Sequence, residues 1–284
     1  MDPTRLQVIE NIKANIAAGE FNNKVEPGDP TLDEEQTRRM LYKIVKHRES
    51  ISYGLKNFVS LVIAFVGTTI FNKETVIEGM PKITGIRGAA IVTSNHFAPL
   101  ENTIIRYMVR RNRKGRLFAV SQDTNFAMKG FFGFLLKYAD LIPVSKDQGY
   151  MSTFFSPMLE DALADGHYVL IYPEQEMWWN YRKPRPLKRG AYHYAAKFGV
   201  PVISCFTEII EKPELDKNGM HKLRYVLHIL DPIFPDPSLS PKENSSIMME
   251  KDYAQKKAAY EKAYGKELDY TFDMWDIAGV VPEE

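Results

Sequence analysis

From Thr75 onward, short apolar runs and helix-length patterns take turns along the chain, and few folds accept that order. Strand-like runs occupy Thr75–Glu78, Ala89–Ser94, Leu117–Ser121, Leu141–Val144, Tyr168–Tyr172, Pro201–Phe206 and Leu223–Leu230. Helical patterns lie between them at Pro99–Arg111, Ala127–Tyr138, Met151–Ala164 and Leu187–Phe198. Gly166 and Gly199 stand where two of these helices would need a left-handed cap. The alternation predicts an α/β fold with a mostly parallel or mixed sheet flanked by helices.

Both flanks of this region read as helical. Leu6, Ile9, Ile12 and Ile16 share one face of a first helix. Thr31-Leu32-Asp33-Glu34 has capping-box spacing and opens a second, through Met40, Leu41, Ile44 and Val45. The most apolar stretch, Phe58 to Phe71, is bounded by Lys56-Asn57 and Asn72-Lys73. A membrane span needs about 20 apolar residues. This shorter run predicts an interfacial or buried helix. Past the sheet, Pro232, Pro235, Pro237 and Pro241 end the alternation before a charged helix and a tail with Trp275. The expected organisation is an N-terminal helical, membrane-associating region (1–73), an α/β domain (74–240), and a C-terminal helix with tail (241–284).

Composition narrows the function classes. The net charge of +1 provides no global basic footprint for nucleic acid. The single cysteine, Cys205, lies in an apolar strand-like run and excludes an internal disulfide. The other histidines, His47, His167, His193, His221 and His228, show no ligand spacing, so no metal site is expected.

Chemistry concentrates in two segments. The first, Thr93-Ser94-Asn95-His96-Phe97-Ala98-Pro99-Leu100-Glu101, follows an apolar strand and enters a helix. His96 stands five residues ahead of Glu101. A carboxylate that holds one imidazole nitrogen as N–H frees the other to take a proton from a hydroxyl. The same residues admit a structural reading, with Pro99 and Glu101 in a helix's first turn and Ser94 and Asn95 in a turn. The second segment runs from Tyr172-Pro173-Glu174 through Trp178-Trp179 to Lys188-Arg189-Gly190-Ala191. Its carboxylates, paired tryptophans and five basic residues before a new helix suggest an anion site with the tryptophans as a pocket wall or membrane contact, or equally a solvated loop whose tryptophans plug the core.

Together the segments resemble the lysophospholipid acyltransferase family, best known for its 1-acylglycerol-3-phosphate acyltransferases. Asn95, His96 and Glu101 fall on its N-H-x-x-x-x-D motif, with glutamate for aspartate. Tyr172-Pro173-Glu174 matches the first half of F-P-E-G-T-R, and Gln175-Glu176-Met177 replaces G-T-R. Lys188-Arg189-Gly190-Ala191 matches a K-R-G-A stretch, and Val200-Pro201-Val202 the strand after it. Leu141 to Lys146 looks like G-x-I-x-V-x-R, with Lys146 in the arginine's place. Order and spacing agree over residues 75 to 230.

The resemblance implies a glycerolphosphate-acyltransferase-like fold and an O-acyltransferase at the cytoplasmic face of a membrane, peripherally attached. His96 would be the general base and Glu101 its orienting group. Asn95 and nearby backbone N–H groups are candidates for the oxyanion, and Lys146, Glu174, Lys188 and Arg189 for the acceptor. Arg182, Lys183, Arg185, Lys188 or Arg189 would replace the missing motif arginine. The co-substrate would be acyl-CoA or acyl carrier protein, with no cofactor, and the acceptor a lysophospholipid or related lipid alcohol. Two other readings keep the scaffold: an inactive lipid-binding protein, and a thioesterase with water as acceptor.

Overall fold

The apolar runs assemble into one sheet. Its strands are β1 (Val76–Glu78), β2 (Ala90–Thr93), β3 (Leu117–Gln122), β4 (Leu141–Val144), β5 (Tyr168–Leu170), β6 (Val202–Leu215) and β7 (His221–Ile229). Their order is β1-β7-β6-β2-β5-β3-β4 in the computed structural model, which describes residues 2–28, 30, 32–112 and 115–281. β6, β2, β5, β3 and β4 are parallel, β7 runs antiparallel to β6, and β1 is parallel to β7. In β2, Ala90, Ile91 and Val92 are wholly buried, as expected of a central strand covered on both faces.

Helices cover both faces. They are α1 (Pro3–Ala17), α2 (Glu34–Arg48), α3 (Ile51–Phe71), α4 (Pro81–Thr84), α5 (Asn102–Arg111), α6 (Gly130–Tyr138), α7 (Gln148–Tyr150), α8 (Ser156–Ala164), α9 (Gly190–Phe198) and α10 (Pro241–Tyr264). Pleat alternation divides the core. Ala90 and Val92 face α5 with Ile104, Ile105 and Met108. Ile91 faces α8 and α9 with Leu159, Tyr192 and Ala195. The helix after β2 and the helix after β5 therefore lie on opposite faces. Such a divergence opens a crevice at the carboxyl ends of the two strands.

Several boundaries differ from the sequence reading. β6 runs on to Leu215 and β7 starts at His221, forming a long hairpin with a register shift between Glu211 and Leu215. Past Ile209 the residues of β6 are half-buried or exposed, so they lack the continuous apolar signal. α5 begins at Asn102, after Pro99 rather than with it. The second helix is capped by Asp33, which takes the Gln36 N–H at 2.7 Å in a full capping box. Thr31, the expected cap, lies outside the described residues.

α3 is longer than the apolar run suggested. Ser50 caps it through the Tyr53 N–H at 3.1 Å. Lys56 and Asn57, which bound the run in sequence, lie inside the helix. Asn57 turns inward to the Tyr138 carbonyl at 2.7 Å and Asp140 at 2.8 Å. The result is a helix of 21 residues, long and apolar enough to cross a membrane. Its inner face, with Ser60 and Thr68 buried, packs on α5 and α6. Leu55, Phe58, Val62, Phe65, Val66, Ile70 and Phe71 remain exposed. α1 sits elsewhere: Val8, Ile9 and Ile12 pack with Trp178, Tyr181 and Ile277.

Candidate active site

His96 and Glu174 come to the switch-point crevice from the carboxyl ends of β2 and β5. The His96 Nδ1 bonds to a Glu101 carboxylate oxygen. The second Glu101 oxygen accepts the backbone N–H groups of Phe97 and Ala98, the latter at 2.7 Å. Glu101 sits at the N-cap position of α5 but its side chain folds back over residues 96–98 instead of capping the helix. Glu101 is 5% exposed, whereas the His96 side chain is 21% exposed, so the ring reaches solvent while its partner does not.

The imidazole lies flat on the Tyr172 ring, with centroids 4.1 Å apart and planes within 6°. Burial first, and the Glu101 charge next, raise the Tyr172 phenol well above its ordinary value, so it stays neutral. Tyr172, in sequence no more than a motif match, stacks on the histidine ring and sets its plane.

Glu174 is 1% exposed and faces inward. Its Oε2 accepts the His96 N–H at 3.1 Å and lies 3.0 Å from an Arg185 guanidinium nitrogen. Its Oε1 accepts the Arg185 N–H at 3.0 Å. Arg185 also donates to the Phe21 carbonyl at 2.7 Å and packs over Trp178 at 4.5 Å. Glu174 is thus a brace behind His96, not an acceptor ligand at the surface.

Asn95 is a second brace. Its amide nitrogen donates to the Thr207 carbonyl at 3.0 Å, and its oxygen accepts the Thr207 N–H at 2.8 Å. The backbone N–H groups of residues 96–98 all go to the Glu174 and Glu101 carboxylates. These bonds correct the expectation that Asn95 and the adjoining amides face an oxyanion.

The basic residues divide sharply. Arg182 is buried against Glu211 and the Ile209 and Trp275 carbonyls, and Lys183 against Asp276 and the Thr271 carbonyl. With Arg185 they belong to the loop's interior, which removes all three from the expected anion site. Lys188 and Arg189 are exposed where α9 begins, and Lys146 is exposed after β4, on the same sheet edge as His96. Of the two readings of the tryptophans, the structure gives the buried one. Trp178 is fully buried, its Nε1–H bonded to the Asn23 carbonyl at 2.9 Å, and Trp179 is half-buried under Arg5.

A cleft of about 970 Å³ adjoins the site, between the end of α3, the start of α1 and the β6–β7 hairpin. Asn180 and Tyr225 line it, and both touch Phe97: the Asn180 N–H bonds its carbonyl at 2.8 Å, and the Tyr225 ring lies 5.5 Å away. Burial and then Glu101 push the Tyr225 phenol up to about 12. Lys73, Lys222 and Arg224 line the cleft without an ion-pair partner among the described residues. The only trace of this cluster in sequence is the alternation of Lys222 and Arg224 along a strand.

A model of the acyltransferase family matches residues 67–208. The crystal structure of the 1-acyl-sn-glycerophosphate (LPA) acyltransferase PlsC from Thermotoga maritima is similar, with TM-score 0.49 and 17% identity, over 82% of this chain and 97% of that one. No curated protein sequence matches significantly.

Proposed function

This chain belongs to the acyltransferase family, and from that premise we propose that it transfers a fatty acyl group from acyl-CoA or acyl carrier protein to a lysophospholipid hydroxyl, lysophosphatidate first. The observation that carries this reading is the buried Glu101 carboxylate on His96 Nδ1. It leaves Nε2 as the nitrogen for the acceptor. Nε2 takes the hydroxyl proton as the oxygen attacks the thioester carbonyl carbon. The tetrahedral adduct collapses, the C–S bond breaks, and the imidazolium returns the proton to the thiolate. An ester and a free thiol leave, and His96 is neutral again. Glu101 stabilises the imidazolium between the two transfers. Cys205 takes no part: it is fully buried, and burial pushes its thiol up to about 12.

The unpaired Lys73, Lys222 and Arg224 suit an anionic headgroup or the phosphates of the carrier, beside Phe97. Lys146, Lys188 and Arg189 offer further positive charge along the sheet edge. The exposed apolar face of α3 would rest in the interfacial region of a membrane, at its cytoplasmic face. Peripheral attachment is favoured over spanning because the other face of α3 is bonded to the domain, through Asn57 and through Arg110 on Thr69 at 2.9 Å.

The test is thiol release from palmitoyl-CoA and palmitoyl carrier protein, with lysophosphatidate and other lysolipids, by wild type and His96→Ala, with melting curves for both. Acceptor-dependent release, lost in a folded variant, supports the reading. Release without acceptor makes it a thioesterase. No release with any pair, alongside lipid binding, makes it an inactive scaffold.

A further inference from the structure

A second cleft, of about 720 Å³, opens far from His96, outside the edge strand β4. α2, the start of α3 and the end of α6 form its walls. Buried Phe126, with Met40 and Ile44, makes an apolar floor. Tyr53 and Tyr138, 5.4 Å apart, stand on one side, with the His47 ring edge-on to both. Arg39, Lys43 and Lys137 ring the opening, and no carboxylate is among the described residues that line it. Arg39 pairs with Glu35 outside the lining. Lys43 is exposed and has no ion-pair partner among the described residues, and Lys137 reaches only the Met128 carbonyl, at 3.5 Å.

We propose that this cleft binds the phosphate-bearing headgroup of an anionic phospholipid, apart from the catalytic site. Three features select that class. The unpaired lysines favour an anion. The His47 ring, bonded to Ser50 at 3.1 Å and the Tyr138 hydroxyl at 3.3 Å, adds a polar group at the same wall. The apolar floor does not suit a bare inorganic ion. Leu55 and Phe58 on α3 and Phe131 and Phe132 on α6, the helices that wall the cleft, are exposed and offer apolar surface for acyl chains. The chain would then hold an anionic lipid at one end of α3, while the cleft beside Phe97 lies at its other end, where Ile70 and Phe71 line it. The site would make membrane residence depend on lipid charge. It rests on the peripheral reading only for the source of the ligand.

The test uses the full chain in two assays. In the first, dihexanoyl-phosphatidate below its micellar concentration is titrated while the His47 ring resonances are followed. Dihexanoyl-phosphatidylcholine and inorganic phosphate serve as separate arms. Saturable shifts with phosphatidate alone, lost in Lys43→Glu/Lys137→Glu, support the proposal. Equal response to phosphatidylcholine removes the role of headgroup charge, and equal affinity for phosphate makes it a free-anion site. Either result, or no shift at all, overturns it. In the second assay, vesicles of phosphatidylcholine with and without phosphatidylglycerol are sedimented with the protein. The double variant should lose at least ~30-fold in affinity for the anionic vesicles alone, from about 1 kcal/mol for each of the two lysines at 1.4 kcal/mol per tenfold. The control Lys217→Glu/Lys242→Glu, exposed elsewhere, should lose much less, and an equal loss overturns the site. Wild type that binds dihexanoyl-phosphatidate but no vesicle would overturn the peripheral reading and leave the cleft standing.

Discussion

The buried Arg185 guanidinium lies 3.0 Å from Glu174, and the same carboxylate oxygen accepts the His96 N–H at 3.1 Å. A cation with no path to the substrate therefore sets the backbone under the proposed base. Removing one partner of a buried pair leaves the other uncompensated, at a cost of about 3–5 kcal/mol. Arg185→Ala should lose about that much in urea unfolding. Glu174→Gln, which keeps an acceptor for the His96 N–H, should lose less stability. It should still lower kcat by up to ~100-fold if the loop shifts by ~1 Å. Unchanged kcat in both variants would show that the brace does not act on His96.

Glu101 serves three donors: the His96 ring and the Phe97 and Ala98 N–H groups. Glu101→Ala orphans all three. Turnover should fall by about 10²–10⁴, and stability by ~1–3 kcal/mol for each buried donor left unmet. Glu101→Gln keeps the shape without the charge and should retain the fold better than the activity. Glu101→Asp keeps the charge on a shorter arm and should be the most active of the three. Full activity in Glu101→Ala would sink the dyad. Steady-state kinetics beside melting curves separates the two effects.

Gln175 adopts φ +68°, in the left-handed region, on an exposed turn. It stands where the resembling motif has glycine. A left-handed L-residue costs roughly 1–2 kcal/mol, and glycine returns part of that gain as unfolded-state entropy. Gln175→Gly should therefore stabilise by about 0.5–1 kcal/mol, and Gln175→Val should destabilise by more than 1 kcal/mol. Equal melting temperatures in all three would show that the turn carries no strain.

These sites mark where the sequence was legible. The central strands were, because burial on both faces leaves an unbroken apolar run such as Ala90-Ile91-Val92. The His96–Glu101 pair was, because its partners are five residues apart. The fates of Arg182, Lys183 and Arg185 were not. Arg182 and Lys183 meet acids far along the chain, Lys183 meeting Asp276 at 2.9 Å, and Arg185 meets Glu174 only once the loop folds back on itself. Until the fold closes, nothing separates such a residue from exposed Lys188. The inward turn of Glu174 and the stacking of Tyr172 on His96 are hidden for the same reason. The length of α3 was obscured by Lys56 and Asn57, which end an apolar run without ending a helix.

A buried ion pair on one helix, unrelated to any motif, makes long-range bonds of its own. Lys256 and Asp252, both fully buried on α10, form an ion pair that reaches the end of β2. Thr93 donates to Asp252 at 2.7 Å, Lys256 donates to Thr93 at 2.9 Å, and the Tyr192 hydroxyl joins the same carboxylate. Lys256→Met should cost about 3–5 kcal/mol by leaving Asp252 unpaired. Lys256→Met combined with Asp252→Leu should recover part of it, because an apolar pair needs no compensation. A double variant as unstable as the sum of the singles would contradict this coupling in a denaturation cycle.

Alkaline pH supplies a separate test of the core. Burial pushes the Cys205 thiol from 9.0 up to about 12 and the Tyr225 phenol from 10.0 up to about 12. A group whose folded value is raised binds its proton more tightly when folded. Its contribution is complete below the unfolded value and is lost as pH rises towards the folded one. For Cys205 that window runs from about pH 9 to 12, and for Tyr225 from about pH 10 to 12. Within the window each group should lower stability by ~1.4 kcal/mol per pH unit. Cys205→Ala should flatten the slope by about one such increment from pH 9 upward, and Tyr225→Phe only from pH 10. Urea midpoints measured every half unit from pH 8 to 11 would read both slopes. A Cys205→Ala profile parallel to wild type would mean that the thiol titrates alike in both states, and so that water reaches it in the folded protein.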